Sequence, residues 1–114
     1  MLPSAAILTL YLMKTIITNR YPPQHWNIFG CQISDGDNFP TDTPHAISVL
    51  EKDILPVSRY FAYIEIDSGF GGTSDLWPSY EGVKNSAKNM EMAVIDDITS
   101  IYPVFRSLFE KKTA

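Results

Sequence analysis

The chain has 114 residues, 45% of them hydrophobic, and carries a net charge of −4 with a pI near 4.9. That length makes one domain with a modest core. The acidic balance argues against a nucleic-acid binder, because neutralising a phosphate backbone needs clustered lysine and arginine. Cys31 is the single cysteine and lies in an apolar run, so it cannot close an internal disulfide. It reads as a buried free thiol in a reducing, cytoplasmic protein, with a metal or redox thiol as the alternative.

Residues Leu2 to Met13 are almost wholly apolar, but Lys14 and Arg20 cut the run short of the roughly 20 residues a spanning helix needs. A secretory signal would put its positive charge before the apolar core, so no membrane role is expected. The pattern predicts a helix over about 4–19, apolar all round and therefore buried by neighbours. Tyr21-Pro22-Pro23 ends it, since proline and the residue before it both disfavour the helical region.

A strand comes next over about 26–33, from Trp26 to Ile33, and it ends abruptly in Ser34-Asp35-Gly36-Asp37-Asn38. A near-continuous apolar run is the mark of a buried parallel strand, and open α/β sheets bind ligands at the carboxyl ends of their strands. Thr43-Pro44 reads as an N-cap followed by proline at the first helical position. Ala46, Ile47, Leu50, Ile54 and Leu55 then recur at helical spacing, giving a helix over about 44–55 that Pro56 closes. Tyr60 to Ile66, dense in aromatic and β-branched residues, is a second strand over 60–66. Strand, helix and strand make a βαβ unit with parallel strands.

Asp67 to Ser74 holds three glycines but lacks the lysine and spacing of a phosphate cradle, so it reads as a plain loop. Beyond it the apolar spacing is helical throughout. Leu76, Trp77, Tyr80, Val83, Ala87, Met90, Ala93 and Val94 predict a helix over about 75–95. Ile98, Ile101, Phe105, Leu108 and Phe109 predict another over about 97–111.

Few residues offer chemistry. His25 and His45 have no nucleophile motif beside them and read as surface or packing histidines. Asp35, Asp37 and Ser34, joined by Asp67 or Glu65 from the second strand end, form a hard oxygen set suited to Mg²⁺, Mn²⁺ or Ca²⁺. The same Asp-Gly-Asp-Asn also reads as a turn, and spacing leaves both readings open.

Four blocks resemble the C-terminal part of the bacterial YeaH/YhbH family. They are Arg20-Tyr-Pro-Pro-Gln-His-Trp-Asn-Ile-Phe29, Gln32-Ile-Ser-Asp-Gly-Asp-Asn38, Ile54-Leu-Pro-Val-Ser-Arg-Tyr-Phe-Ala-Tyr-Ile-Glu-Ile66 and Ile101-Tyr-Pro-Val-Phe-Arg-Ser-Leu-Phe109. They occur in the family's order and run from about Leu12 to Lys111. The resemblance implies an α/β fold, part of a von Willebrand factor A-like, Rossmann-like sheet, with residues 1–114 as the last portion of that domain. It makes Ser34-Asp35-Gly36 similar to the third loop of a metal-ion-dependent adhesion site, with Asp35, Asp37 and Ser34 near Mg²⁺ or Mn²⁺. The Asp-x-Ser-x-Ser first loop and the Gly-Gly-Thr second loop are not in this sequence; Ser4 is the nearest hydroxyl to the latter, and Phe39 stands where a tryptophan is expected.

The implied function is a cytoplasmic protein-interaction module, not an enzyme, acting beside a PrkA-like serine kinase in stress or sporulation. Strands missing beside 26–33 would leave an edge that favours a homo-oligomer. A metal-dependent hydrolase built on Asp35, Asp37 and Asp67, and a small acidic inhibitor of a basic partner, are the alternatives.

Overall fold

Three parallel strands, paired in chain order, carry helices on both faces. A computed structural model describes residues 5–34, 41–66 and 76–113. In chain order the elements are α1 (Ala5–Arg20), β1 (Phe29–Ser34), α2 (Thr43–Val49), β2 (Tyr60–Ile66), α3 (Leu76–Ser86), β3 (Met90–Ile95) and α4 (Ile101–Thr113). A π-helical turn (Leu50–Ile54) and a 3₁₀ turn (Leu55–Val57) prolong α2, and a 3₁₀ turn (Ile98–Ser100) leads into α4.

The register pairs Phe29 with Tyr60 through to Ser34 with Glu65, and Phe61 with Met90 through to Ile66 with Ile95. Side chains alternate between faces along each strand. One face presents Gly30, Gln32, Phe61, Tyr63, Met90 and Met92 to the helices α1, α2 and α3. There Leu10, Ala46, Val49, Leu50, Ile54, Leu76, Tyr80 and Val83 close over Phe61 and Tyr63 as one core. The other face presents Phe29 and Tyr60 to α4, whose Phe109 ring meets them edge-on at centroid distances of 6.4 and 5.0 Å. The middle strand β2 is buried along almost its whole length.

The expected βαβ unit is present, with parallel strands. Its first strand begins at Phe29; residues 26–28 precede it as irregular chain joined to the sheet by Arg59 N–H donating to the Ile28 carbonyl at 2.7 Å. At α2, Asp42 holds the position before the helix and Thr43 is its first residue, with the Asp42 carbonyl accepting from Ala46 N–H at 3.0 Å. The N-cap therefore falls one residue earlier than Thr43.

Two further expectations are corrected. A single helix over 75–95 does not form: α3 stops at Ser86 and Met90–Ile95 pairs with β2 as a third parallel strand. Methionine, glutamate and alanine favour helix locally, yet the ladder with β2 and burial of Met90 and Ile95 override that weak preference. Asn89 fixes the entry: its side-chain amide donates to the carbonyls of Leu55 and Ser58 at 3.0 and 2.9 Å, and its own carbonyl accepts from Phe61 N–H at 2.8 Å. The second correction concerns α1, which is not buried all round. Leu10 and Ile17 are buried, whereas Leu8, Tyr11, Leu12 and Ile16 are exposed.

Candidate functional site

The carboxyl ends of parallel strands are where a sheet of this class binds its ligands. Here β1 ends at Ser34, which lies in register with Glu65 of β2, itself in register with Val94 of β3. Ser34 is half-buried and Glu65 is buried, an unusual place for a carboxylate. The Tyr63 hydroxyl, two residues earlier on the same face, donates to Glu65 Oε1 at 2.7 Å. One step inward the Tyr80 hydroxyl, carried across by α3, donates to Gln32 Oε1 at 2.8 Å. The two tyrosine rings touch at 4.6 Å between centroids, and Trp77 lies 6.2 Å from Tyr63.

These partners explain how buried polar groups are tolerated, since each receives a hydrogen bond in place of water. Both phenols are pushed well above their ordinary range. Burial is the main cause for each, and for Tyr63 the hydrogen bond to Glu65 and its negative charge add to it, while a hydrogen bond with Ser34 opposes. Both are therefore proton donors at neutral pH. Their effect is to hold Gln32 and Glu65 in place near the carboxyl ends of β1 and β2.

Of the residues expected to meet a metal, Ser34 stands at the end of β1, while Asp35 and Asp37 lie outside the described residues, as does Asp67. Among the described residues no group of three or more histidine, cysteine, aspartate or glutamate side chains could hold a metal ion. Glu65 is the one acidic residue brought to Ser34 within the sheet register. The Tyr63–Glu65 and Tyr80–Gln32 pairs were missed by sequence reasoning. The two-residue spacing of Gln32 with Ser34, and of Tyr63 with Glu65, is the only local trace of them.

The histidines take the structural role expected. His45 bonds to the Tyr11 hydroxyl and meets its ring edge-on at 5.4 Å, which ties α2 to α1 at the surface. His25 is exposed in the turn after α1, its backbone N–H donating to the Pro22 carbonyl at 3.0 Å. Cys31 is half-buried rather than buried, because it lies on β1 facing away from the three-helix core; burial still pushes its thiol up to about 11. Among the described residues no helix is long and apolar enough to cross a membrane.

Comparison with known proteins places the chain in a family. The model of a family described as a protein of unknown function (DUF444) matches residues 5–112. A UPF0229 protein of Legionella pneumophila (strain Corby) is 48% identical over 104 residues, covering 91% of this chain and 24% of its own length. A UPF0229 protein of Thiobacillus denitrificans is 46% identical over 105 residues, covering 92% of this chain and 25% of its own. The chain thus spans about a quarter of the length of these curated relatives. No solved structure matches it. With a family model matched over nearly every residue and two such relatives, the chain belongs to the DUF444 (UPF0229) family, the bacterial YeaH/YhbH family.

Proposed function

We propose that this chain is the strand-end portion of a cytoplasmic, von Willebrand factor A-like protein-interaction module whose role is binding and not catalysis. The observation that carries the reading is the position of Ser34, which ends a parallel strand above a buried, hydrogen-bonded floor and leads directly into Asp35-Gly-Asp37. Hydroxyl and carboxylate oxygens are the hard donors that Mg²⁺ and Mn²⁺ select. Ser34, Asp35 and Asp37 are the residues that would hold such an ion. When bound, it supplies a positive centre that a carboxylate of a protein partner completes.

The chain's own contribution is positional. Tyr63 and Tyr80 tie Glu65 and Gln32 near the ends of β2 and β1, so Ser34 is held at a fixed point of the sheet. A PrkA-like serine kinase is the partner the family resemblance implies. The test is retention of such a kinase on the immobilised chain, with Mg²⁺ or with a chelator. Retention that is lost on chelation and lost in Asp35→Ala supports the reading; retention unchanged by both overturns the metal-bridged interaction. Titration calorimetry of Mn²⁺ into the chain and into Asp35→Ala reads the metal alone, with saturable heat expected only in the first.

A further inference from the structure

Three side chains at the carboxyl ends of β1 and β2 are hydrogen-bonded in series. In the strand register Gln32 stands beside Tyr63 and Ser34 beside Glu65, which puts Ser34, Tyr63 and Glu65 on one face of the sheet. The Tyr63 hydroxyl donates to Glu65 Oε1 at 2.7 Å and is also hydrogen-bonded to the Ser34 side chain. A phenol has a single proton. Because that proton goes to Glu65, the phenol oxygen must accept in the second bond, and the Ser34 hydroxyl is its donor. The far end sets the direction of the series, since a carboxylate only accepts.

This order fixes what Ser34 offers to any other group. A serine hydroxyl carries one proton and two lone pairs, and here the proton is turned inward to Tyr63. Whatever else meets Ser34 Oγ therefore meets an acceptor. Charge acts in the same sense: Glu65 is buried, and neighbouring strands lie only about 4.8 Å apart, so its negative charge reaches the end of β1 with little water between. A cation or an N–H donor is favoured there, and a phosphate or carboxylate oxygen is repelled.

We propose that Glu65 is a positioning residue for this strand end: through Tyr63 it orders the Ser34 hydroxyl as an acceptor, so the site receives a cation or an N–H donor and turns anions away. Mg²⁺ or Mn²⁺ as the cation rests on the metal-bridged reading above, whereas the ordering of Ser34 belongs to the metal-free chain. One consequence is that a partner's carboxylate reaches Ser34 only across a cation.

Low-temperature NMR of the metal-free chain tests the ordering, by placing the Ser34 hydroxyl proton through its cross-peak to the Tyr63 ring. The peak should be present in wild type and lost in Tyr63→Phe, which keeps the ring and removes the link. Glu65→Gln, which keeps an accepting oxygen without the charge, should retain it. Glu65→Leu should lose it, because the Tyr63 proton then turns to Ser34. A peak missing from wild type, or equal peaks in the Gln and Leu variants, would overturn the proposal and leave Glu65 a packing residue. Two probes then test selectivity at the Ser34 resonances. Mn²⁺ should broaden them in wild type and do so at least about tenfold less effectively in Glu65→Leu, while inorganic phosphate should leave them unmoved. Phosphate binding as tight as that of Mn²⁺ would overturn the exclusion of anions. If Mn²⁺ has no effect while the Ser34 proton sits on Tyr63 as expected, the metal-bridged reading fails and the ordering of Ser34 stands.

Discussion

At Gly30 the absence of a side chain has a measurable value. A Cβ built there would stand 3.0 Å from the Phe61 ring and 3.4 Å from the Met13 sulfur. Phe61 is fully buried in the core and cannot yield, so Gly30→Val should cost about 1–3 kcal/mol through overpacking, read as a lower urea midpoint. One residue on, burial of the Cys31 thiol suppresses its reactivity. Pushed up to about 11 by burial, the thiol holds much less thiolate at pH 8 than an unperturbed one. Iodoacetamide labelling followed by mass spectrometry should show Cys31 reacting at least about tenfold slower than a free cysteine. The direction of shift sets the sign of the accompanying pH dependence. Cys31 and Tyr60, the latter raised to about 12 by burial first and then by the charges of Glu91 and Cys31, both hold their protons more tightly when folded. Their contribution to stability is complete below about pH 9 and is lost as the pH rises through 9 to 12, so thermal melts should fall over that alkaline range and stay level just below it.

Among the elements, β3 is anchored at its start by one side chain. Asn89 joins the turn after α2 to the start of β3 through two hydrogen bonds from one amide. Asn89→Ala should cost about 1–2 kcal/mol, seen as a shift of the urea midpoint with unchanged slope. This dependence also shows why β3 was illegible in the sequence. β1, α2 and β2 could be read because each is a run of one period bounded by turn formers: Pro22-Pro23 before the first strand, Ser34-Asp-Gly-Asp after it, Pro56 before the second. Met90-Glu-Met-Ala instead continues the helical spacing of α3, and only its pairing with β2 makes it a strand. The site divides in the same way. Ser34 at a strand end was legible from the abrupt change in composition, whereas the Tyr80–Gln32 bond joins residues 48 positions apart and leaves no local pattern.

For the whole molecule, the described residues of α1 and of the stretch from Trp26 through β1 expose Leu8, Leu12, Ile16, Trp26, Phe29 and Ile33. Exposed apolar side chains of this kind bind amphiphilic dyes. The folded chain should therefore enhance the fluorescence of anilinonaphthalene sulfonate, and Leu12→Asp should reduce the enhancement by about half while leaving circular dichroism unchanged, since Leu12 contributes little to the core.

The all-parallel register has a kinetic consequence. Every strand pairing joins residues about thirty positions apart, so no part of the sheet can form until a long loop has closed, and folding falls in the slow range of small domains. The strand that must wait longest for its second neighbour is the middle one, Tyr60–Ile66, which is aromatic and aliphatic apart from a single glutamate and has no proline or glycine. Left open, such a segment pairs with copies of itself. At ribosomal rates of about 5–20 residues per second, β3 is completed roughly 1.5–6 seconds after β2 emerges. During that interval the centre of the sheet is its most aggregation-prone part, so the yield of soluble protein is set by how that delay compares with the rate at which neighbouring nascent chains meet.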